Sequence, residues 1–471
     1  MQCSPLGAPL VLALLLPTFT GACIHRSSSA PLGARSNIML IIADDLGNDK
    51  IGVYQQGDDL TRPKTPNIDE LARRGVRFVN AYATPFCSPT RATLLTGQYG
   101  SRHDIGTVIR GRDQIVLPLY PKQLPIPMML DLGGSGYDHS QVGKWHLASR
   151  RSGGPRSPLE HGFNWSAGAP ANIRSGCADC DYFSWMKQVN GSVSRVNVYA
   201  TTDTTNDAIA RANEMHEPWF MWLAYNAPHE PFHIPPNELH SQTDLEDDVV
   251  RMYAAMVEAL DTEIGRLLAS IEPSRLENTT IIFMGDNGTP RSAVPPAYAT
   301  HAAKGSLREA GANVPFIVAG PVVPDSSRGR VSEVLVNSTD VYATLAEIAG
   351  VNLGDVVPPG VTMDSISLLA ALVHPDRVPG ARRYAHTEKF QPNGPGPYTF
   401  DNRSVRDRRW KLIRKHNVKK TPQIRDEMYD LSAAPAGADG DDLCPCPENL
   451  EAEARAAYER LVRALEELQG T

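Results

Sequence analysis

Seven residues, Asn37 to Ala43 (Asn-Ile-Met-Leu-Ile-Ile-Ala), run without polar interruption into a pair of carboxylates, Asp44 and Asp45. A strand wetted on one face alternates polar and apolar side chains, so a strand without alternation has to be covered on both faces. The run therefore reads as a buried parallel strand. Its acid pair lies at the C-terminal edge, where open α/β sheets bind ligands. Trp219 to Tyr225, Thr280 to Met284 and Pro315 to Ala319 are further apolar strands, and Arg251 to Ile271 carries apolar residues at the spacing of one long helix. Thr65-Pro66-Asn67-Ile68-Asp69-Glu70-Leu71 reads as a capped helix start with Gly75 as its stop. Strands alternating with helices predict an α/β fold: a large, mostly parallel, doubly wound sheet flanked by helices.

At 471 residues the chain is too long for one ordinary core. Composition changes near Val351 to Pro359. Beyond it lie shorter polar-apolar strands at Arg383 to Phe390, Asp401 to His416 and Met428 to Leu431, and then an amphipathic helix over Pro447 to Gln469. The expected division is a main domain over 37–355 and a smaller C-terminal subdomain over 356–471, an antiparallel sheet with one helix. At the other end, Leu10 to Leu16 is too short to span a bilayer and precedes the small residues Thr20-Gly21-Ala22. It reads as an export signal over 1–23 followed by a linker over 24–36, although no Lys or Arg precedes the apolar run. Cys23 loosely resembles a lipid-anchoring site, with Thr20 where Leu is expected. No later segment is apolar enough for a transmembrane helix. The protein is thus expected in the periplasm, outside the cell, or in a secretory lumen.

Hydrophobic content of 41% and charged content of 21% are those of a globular protein, and the net charge of −7 is spread along the chain. No basic stripe of the kind nucleic acids need is present. With Cys3, Cys23 and Cys87 set aside, Cys177, Cys180, Cys444 and Cys446 form an even four with three pairings open. Two disulfides fit an oxidising compartment. A four-cysteine zinc site is the rival, but Cys-Pro-Cys is too short a spacer for paired ligands.

Asp286-Asn287, after the strand Thr280 to Met284, should join Asp44-Asp45 at one sheet edge. Three carboxylates and an amide oxygen are hard donors, suited to Ca2+ or Mg2+ rather than zinc. Each pair also has a bland reading, as a helix cap or a turn. Asn287-Gly288-Thr289 is a glycosylation sequon that a buried ligand could not use. Lys144 and His146 in Gly-Lys-Trp-His are two apart and would share one face of a strand. His229 follows the strand ending at Tyr225, and Lys304 opens Lys-Gly-Ser-Leu-Arg-Glu. Two cations and two imidazoles beside a metal suit a sulfate ester, neutralising its oxygens and protonating the departing alkoxide.

Cys87-Ser88-Pro89-Thr90-Arg91, followed by Leu95-Thr96-Gly97, has the form Cys-x-Pro-x-Arg. Alone it could be a buried cysteine beside a turn proline. It occurs, however, in sequence with Asp44-Asp45, Thr65-Pro66-Asn67, Gly143 to His146, Pro228-His229, Gly285 to Gly288 and Lys304-Gly305. With these pieces in this order, the chain resembles the type I sulfatases of the alkaline phosphatase superfamily from about Asn37 to Ala319, and more loosely near Tyr429 to Leu431. The resemblance implies that a formylglycine-generating enzyme oxidises Cys87 to Cα-formylglycine, whose hydrate attacks sulfur with one hydroxyl and expels sulfate with the other. It further implies one Ca2+, with Mg2+ as the alternative, held by Asp44, Asp45, Asp286, Asn287 and the modified Cys87. Arg91 would stabilise the hydrate, and Lys144 and Lys304 would hold sulfate oxygens. His229, with Lys304, would assist the leaving group, and His146 would take the proton as sulfate departs.

Three segments depart from the family pattern: Thr90 stands for the commoner Ser, Gln98 for Arg or Lys, and Arg308-Glu309-Ala310-Gly311 for an aromatic-Glu-Gly-Gly. Loops expected around the pocket carry Arg110, Arg112, Arg150, Arg151, His233 and His301, and His301 is a candidate substrate contact. They suit a sulfated carbohydrate with further anionic groups; an aryl or steroid sulfate is the rival substrate. Phosphonate monoester or phosphodiester hydrolysis is the rival chemistry within the superfamily. A non-catalytic glycan binder would be expected to have lost some of these residues, and none is missing.

Overall fold

The computed structural model describes residues 35–470 except 55–61, 115, 247, 295–302, 377–380, 419–420, 433–437 and 445–448. The expected export signal, the linker up to residue 34, Cys3, Cys23, His301 and Cys446 lie outside the described residues.

Asn37–Ala43 occupies the middle of a ten-stranded sheet, parallel to Trp219–Ala224 on one side and Thr279–Gly285 on the other. Its unbroken apolar character follows from two covered faces. Ile38, Leu40 and Ile42 join one apolar layer with Leu94, Leu95 and Tyr342, while Met39, Ile41 and Ala43 join another with Tyr253, Met256 and Leu260. Burying each such side chain contributes about 1.5–3 kcal/mol, so neither face of this strand can be exposed cheaply. Phe316–Ala319 pairs antiparallel beyond Thr279–Gly285, and Asp138–Gly143 pairs parallel beyond Trp219–Ala224. The fold is the expected mostly parallel, doubly wound α/β sheet.

The helix expected after Thr65 spans Pro66–Arg74, and Gly75 ends it. Its cap comes from elsewhere in the chain. The Asp261 carboxylate, on the long helix Val249–Ser270, accepts the N–H groups of Asn67 (3.1 Å) and Ile68 (2.8 Å), whereas Thr65 Oγ1 turns to Asp69. Four antiparallel strands (Ala385–Gln391, Phe400–Arg406, Trp410–Asn417, Thr421–Asp430) form the smaller sheet, with the helix Ala452–Gly470 packed on it through Leu412, Met428, Leu461 and Leu465. Cys177 and Cys180 form a disulfide, which removes both from the four-cysteine zinc alternative. Among the described residues no helix is long and apolar enough to cross a membrane.

Candidate active site

The sheet register builds the acidic cluster. Ala43 pairs with Gly285, so the next residues, Asp44 and Asp286, leave adjacent strands side by side. The Asp286 N–H donates to Ala43 O at 3.0 Å, and the Asp45 N–H donates to Asp286 Oδ1 at 3.0 Å. Asp45 sits at φ +70°, a conformation Asp tolerates, and this turns the chain away from the sheet. Gly285 is required for a close approach, since a Cβ there would lie 2.1 Å from Leu46 O. Asn287 Nδ2 donates to Asp45 Oδ1 at 2.8 Å. That leaves Asn287 Oδ1 and Asp44 Oδ1 buried and accepting no hydrogen bond.

Cys87 is the first residue of the helix Cys87–Thr96, all ten residues of which are buried. Pro89 is tolerated because N–H groups in the first turn have no intrahelical acceptor. One turn later and on the same face, Arg91 points at the acids. Its Nε and Nη2 donate to Asp286 Oδ2 at 3.0 and 2.9 Å, and its Nη1 donates to Lys144 O at 2.7 Å. Ligand atoms of Asp44, Cys87 and Asp286 all lie within 4.8 Å of one another. Burial pushes the Cys87 thiol up, against the pull of Lys144 and Lys304, so the unmodified side chain is poorly disposed to act as a thiolate.

Lys144 and His146 do not share a strand face. The strand stops at Gly143 (φ +88°), where a Cβ would lie 2.0 Å from Ala224 O, and His146 is itself left-handed at φ +62°. The chain instead folds over the sheet edge. Lys144 Nζ donates to Asp44 Oδ2, and His146 Nδ1 lies 3.3 Å from Cys87 Sγ. His146 Nε2 is 3.1 Å from Ile109 O, an acceptor only, so Nε2 carries the hydrogen and the Nδ1 lone pair faces Cys87. Burial, then Lys144 and Arg91, push its basicity well down and keep the ring neutral.

Lys304 Nζ donates to Asp45 Oδ2 at 2.6 Å, and His229 Nε2 lies 3.7 Å from the same oxygen. His229 Nδ1 is 2.8 Å from Glu230 O, so it bears the hydrogen and Nε2 faces the cluster. Lys304, with its side chain 18% exposed, marks the open side. Burial raises the Asp286 carboxyl, and Asp44 beside it adds to the rise, despite Arg91. Burial acts on Asp44 in the same way, but Lys144, His229, Arg91 and Lys304 outweigh it and hold that carboxyl low. Crowded carboxylates with two unpartnered oxygens fit a divalent cation, because its charge would relieve the repulsion and its coordination would use those oxygens.

The structure thus brings together Asp44, Asp45, Cys87, Arg91, Lys144, His146, His229, Asp286, Asn287 and Lys304. Arg110, Arg112, Arg150 and Arg151 are exposed, and Arg150 donates to Gly176 O. His233 lies among Tyr182, Phe183 and Tyr199, with Nε2 3.0 Å from Tyr199 Oη. Gln98 supports its loop by donating to Thr362 O at 2.6 Å. Sequence reasoning missed Glu309 as a structural residue. Buried, it accepts from Tyr82 Oη (2.7 Å) and Lys411 Nζ (2.8 Å), fastening the smaller sheet to the segment that carries Lys304. Its only local signal was its place in a segment that departs from the family pattern.

Residues 36–351 match the sulfatase family model. Arylsulfatase J of Mus musculus is 28% identical over 337 residues, which cover 67% of this chain and 53% of that protein. N-acetylgalactosamine-6-sulfatase of Canis lupus familiaris is 29% identical over 383 residues, covering 74% of this chain and 68% of that protein. The chain therefore spans about half the length of the first relative and about two thirds of the second. Among solved structures, Ps i-CgsB in complex with k-i-k-neocarrahexaose superposes with a TM-score of 0.71 at 24% identity, covering 92% of each chain. BT4656 in complex with its substrate D-glucosamine-2-N,6-O-disulfate superposes with a TM-score of 0.68 at 21% identity, covering 93% of this chain and 98% of that one. At these identities the two superpositions establish the shared fold.

Proposed function

The chain belongs to the type I sulfatases of the alkaline phosphatase superfamily, and from that footing we propose that it hydrolyses sulfate esters of a carbohydrate at the cluster around Cys87. One observation carries the reading: Cys87 Sγ faces the lone pair of a neutral His146 while lying among the carboxylates of Asp44 and Asp286. Cys87, converted to Cα-formylglycine by a formylglycine-generating enzyme, would supply a hydrated aldehyde able to attack sulfur and to collapse back with loss of sulfate. Asp44, Asp45, Asp286 and Asn287 would hold one Ca2+ or Mg2+ against position 87, supplying positive charge where charge builds up on oxygen.

The remaining work falls to the chain's own side chains. Lys144 and Lys304, now paired with Asp44 and Asp45, are placed to hold sulfate oxygens once a cation shares those carboxylates. Arg91 fixes Asp286 and the Lys144 carbonyl, and so orients two parts of the site from one guanidinium. His146 Nδ1 accepts the proton released at position 87. His229 assists the leaving alkoxide together with Lys304, whose ammonium on the open side carries the proton to be delivered while the His229 Nε2 lone pair faces the cluster. Residues 37–355 carry all of these groups, and the smaller sheet within 356–471 lines a cavity beside Lys304 through Lys389, Asn402, Ile413 and Lys415. Segment 1–23 acts as an export signal, in keeping with a Cys177–Cys180 disulfide that persists in oxidising compartments.

The test is sulfate release from sulfated saccharides and aryl sulfates, with an aryl phosphodiester as competitor chemistry and Cys87→Ala as the blank. Release from a sulfated saccharide well above the blank is expected. Faster turnover of the phosphodiester than of every sulfate ester, or no difference from Cys87→Ala, would overturn the assignment.

A further inference from the structure

Beside Lys304 a cavity of about 290 Å³ opens between the segment 304–308 and the smaller sheet. Its lining includes Arg291, Lys304, Arg308, Lys389 and Lys415, together with Asn402, and no carboxylate lines it among the described residues. Glu427, buried behind this wall, holds Lys415 at 2.5 Å and lies 3.6 Å from Arg308. Glu427 thus serves Lys415 and Arg308, and Asp45 serves Lys304. Lys389 has no carboxylate within ion-pair distance among the described residues; its ammonium donates to the carbonyl of Gly305. Burial, with Lys415 nearby, pushes Lys389 down to about 8. A half-buried ammonium held without a counter-charge is costly, and an anion entering the cavity would remove that cost.

The cavity adjoins the reaction centre through Lys304. Lys304 contacts Asp45 and also lines the cavity, and the Gly305 N–H donates to Pro85 O at 3.0 Å, two residues before Cys87. A sugar whose ester sulfate sits at position 87 would leave past Lys304 straight into these cations.

We propose that this cavity is a subsite for a second anionic group of the substrate, so that the preferred substrate is a saccharide bearing a sulfate or carboxylate in addition to the ester that is cleaved. This inference rests on the sulfatase reading and deepens it. Lys389, Lys415 and Arg308 are the residues that set this preference, and Asn402 supplies a neutral contact at the rim.

The test uses the full-length chain with Cys87→Ala, so that ligands persist, alone and combined with Lys389→Met or Lys415→Met. Calorimetric titration with glucosamine 6-sulfate, glucosamine 2-N,6-O-disulfate and a monosulfated uronate disaccharide compares one anion with two and sulfate with carboxylate. The doubly charged ligands should bind about ten- to a hundredfold more tightly, the range for hydrogen bonds to charged groups. Either Lys substitution should erase most of that advantage while changing affinity for the monosulfate less than about twofold. Lys415 is partly exposed, so its variant guards against a folding failure at Lys389. Equal affinities in the parent, or an advantage that survives both substitutions, overturns the subsite. The preference persisting while the Cys87-bearing, matured enzyme releases sulfate from none of the three would leave the subsite standing and overturn the sulfatase reading.

Discussion

Replacing Arg91 by Lys removes a fork while keeping a charge. The guanidinium is fully buried, donates twice to Asp286 Oδ2 and once to Lys144 O, and lies 3.9 Å from Asp44 Oδ1. An ammonium on a single stem cannot serve Asp286 and the Lys144 carbonyl in those directions together. One or both acceptors would be left in a dry site, at about 1–3 kcal/mol each, so Arg91→Lys should lose about 2–4 kcal/mol of stability. Arg91→Ala removes the charge as well and should lose about 3–5 kcal/mol. Urea denaturation at fixed Ca2+ measures both. The same Lys substitution should lower sulfate release by about a hundredfold or more, since the Asp286 carboxylate and the Lys144 segment lose their common anchor. A Lys variant within about 0.5 kcal/mol of the parent and of similar activity would refute the claim that this guanidinium organises the site.

Glu309→Gln should destabilise the protein by about 3–5 kcal/mol, because Lys411 and Arg406 would be left buried with the loss of a shared carboxylate. Thermal melts check this, and a change under about 1 kcal/mol would show that Asp439, 3.1 Å from Lys411, suffices alone. His103 is buried with Nε2 3.2 Å from Thr93 Oγ1, and its Nδ1 accepts the Ile105 N–H. Burial pushes it from 6.5 to about 4 in the folded state, so folded protein binds fewer protons than unfolded protein between those values. Its contribution is present above pH 6.5 and is lost as pH falls towards 4, amounting to about 2 kcal/mol by pH 5. A His103→Gln variant should show a correspondingly shallower loss of stability on acidification, and an unchanged acid slope would contradict the buried neutral ring.

Much of this fold was legible because its elements are decided locally. The run from Asn37 to Ala43 could be covered only on both faces, and the spacing of Arg251 to Ile271 demanded a helix, found at Val249–Ser270. The acidic cluster was legible because strand ends in a parallel sheet meet at one edge, whatever the loops do. What escaped was geometry fixed by single backbone choices or by distant partners. Gly143 at φ +88° ends the strand before Lys144, so the two-residue spacing to His146 carried no shared face. Asp261 caps a helix almost two hundred residues earlier in the chain, and Glu309 finds Lys411 about a hundred residues later. Nothing in the local pattern marks those pairs, since any buried acid could take any buried base. Lys415 lies in a run rich in Arg and Lys, Arg403 to Lys420, that the sequence leaves open between a solvated strand face and an anion-binding patch; Lys389 escaped because only the register of three strands sets it in line with Asn402 and Lys415.

The mass of the peptide containing Cys87 tests the central claim most directly, in protein produced together with a formylglycine-generating enzyme. An aldehyde in place of the thiol makes that peptide lighter and reactive towards hydrazides, whereas ordinary thiol oxidation adds oxygen and makes it heavier. The lighter, hydrazide-reactive peptide is expected. An intact thiol at position 87 in folded, active enzyme would contradict the account.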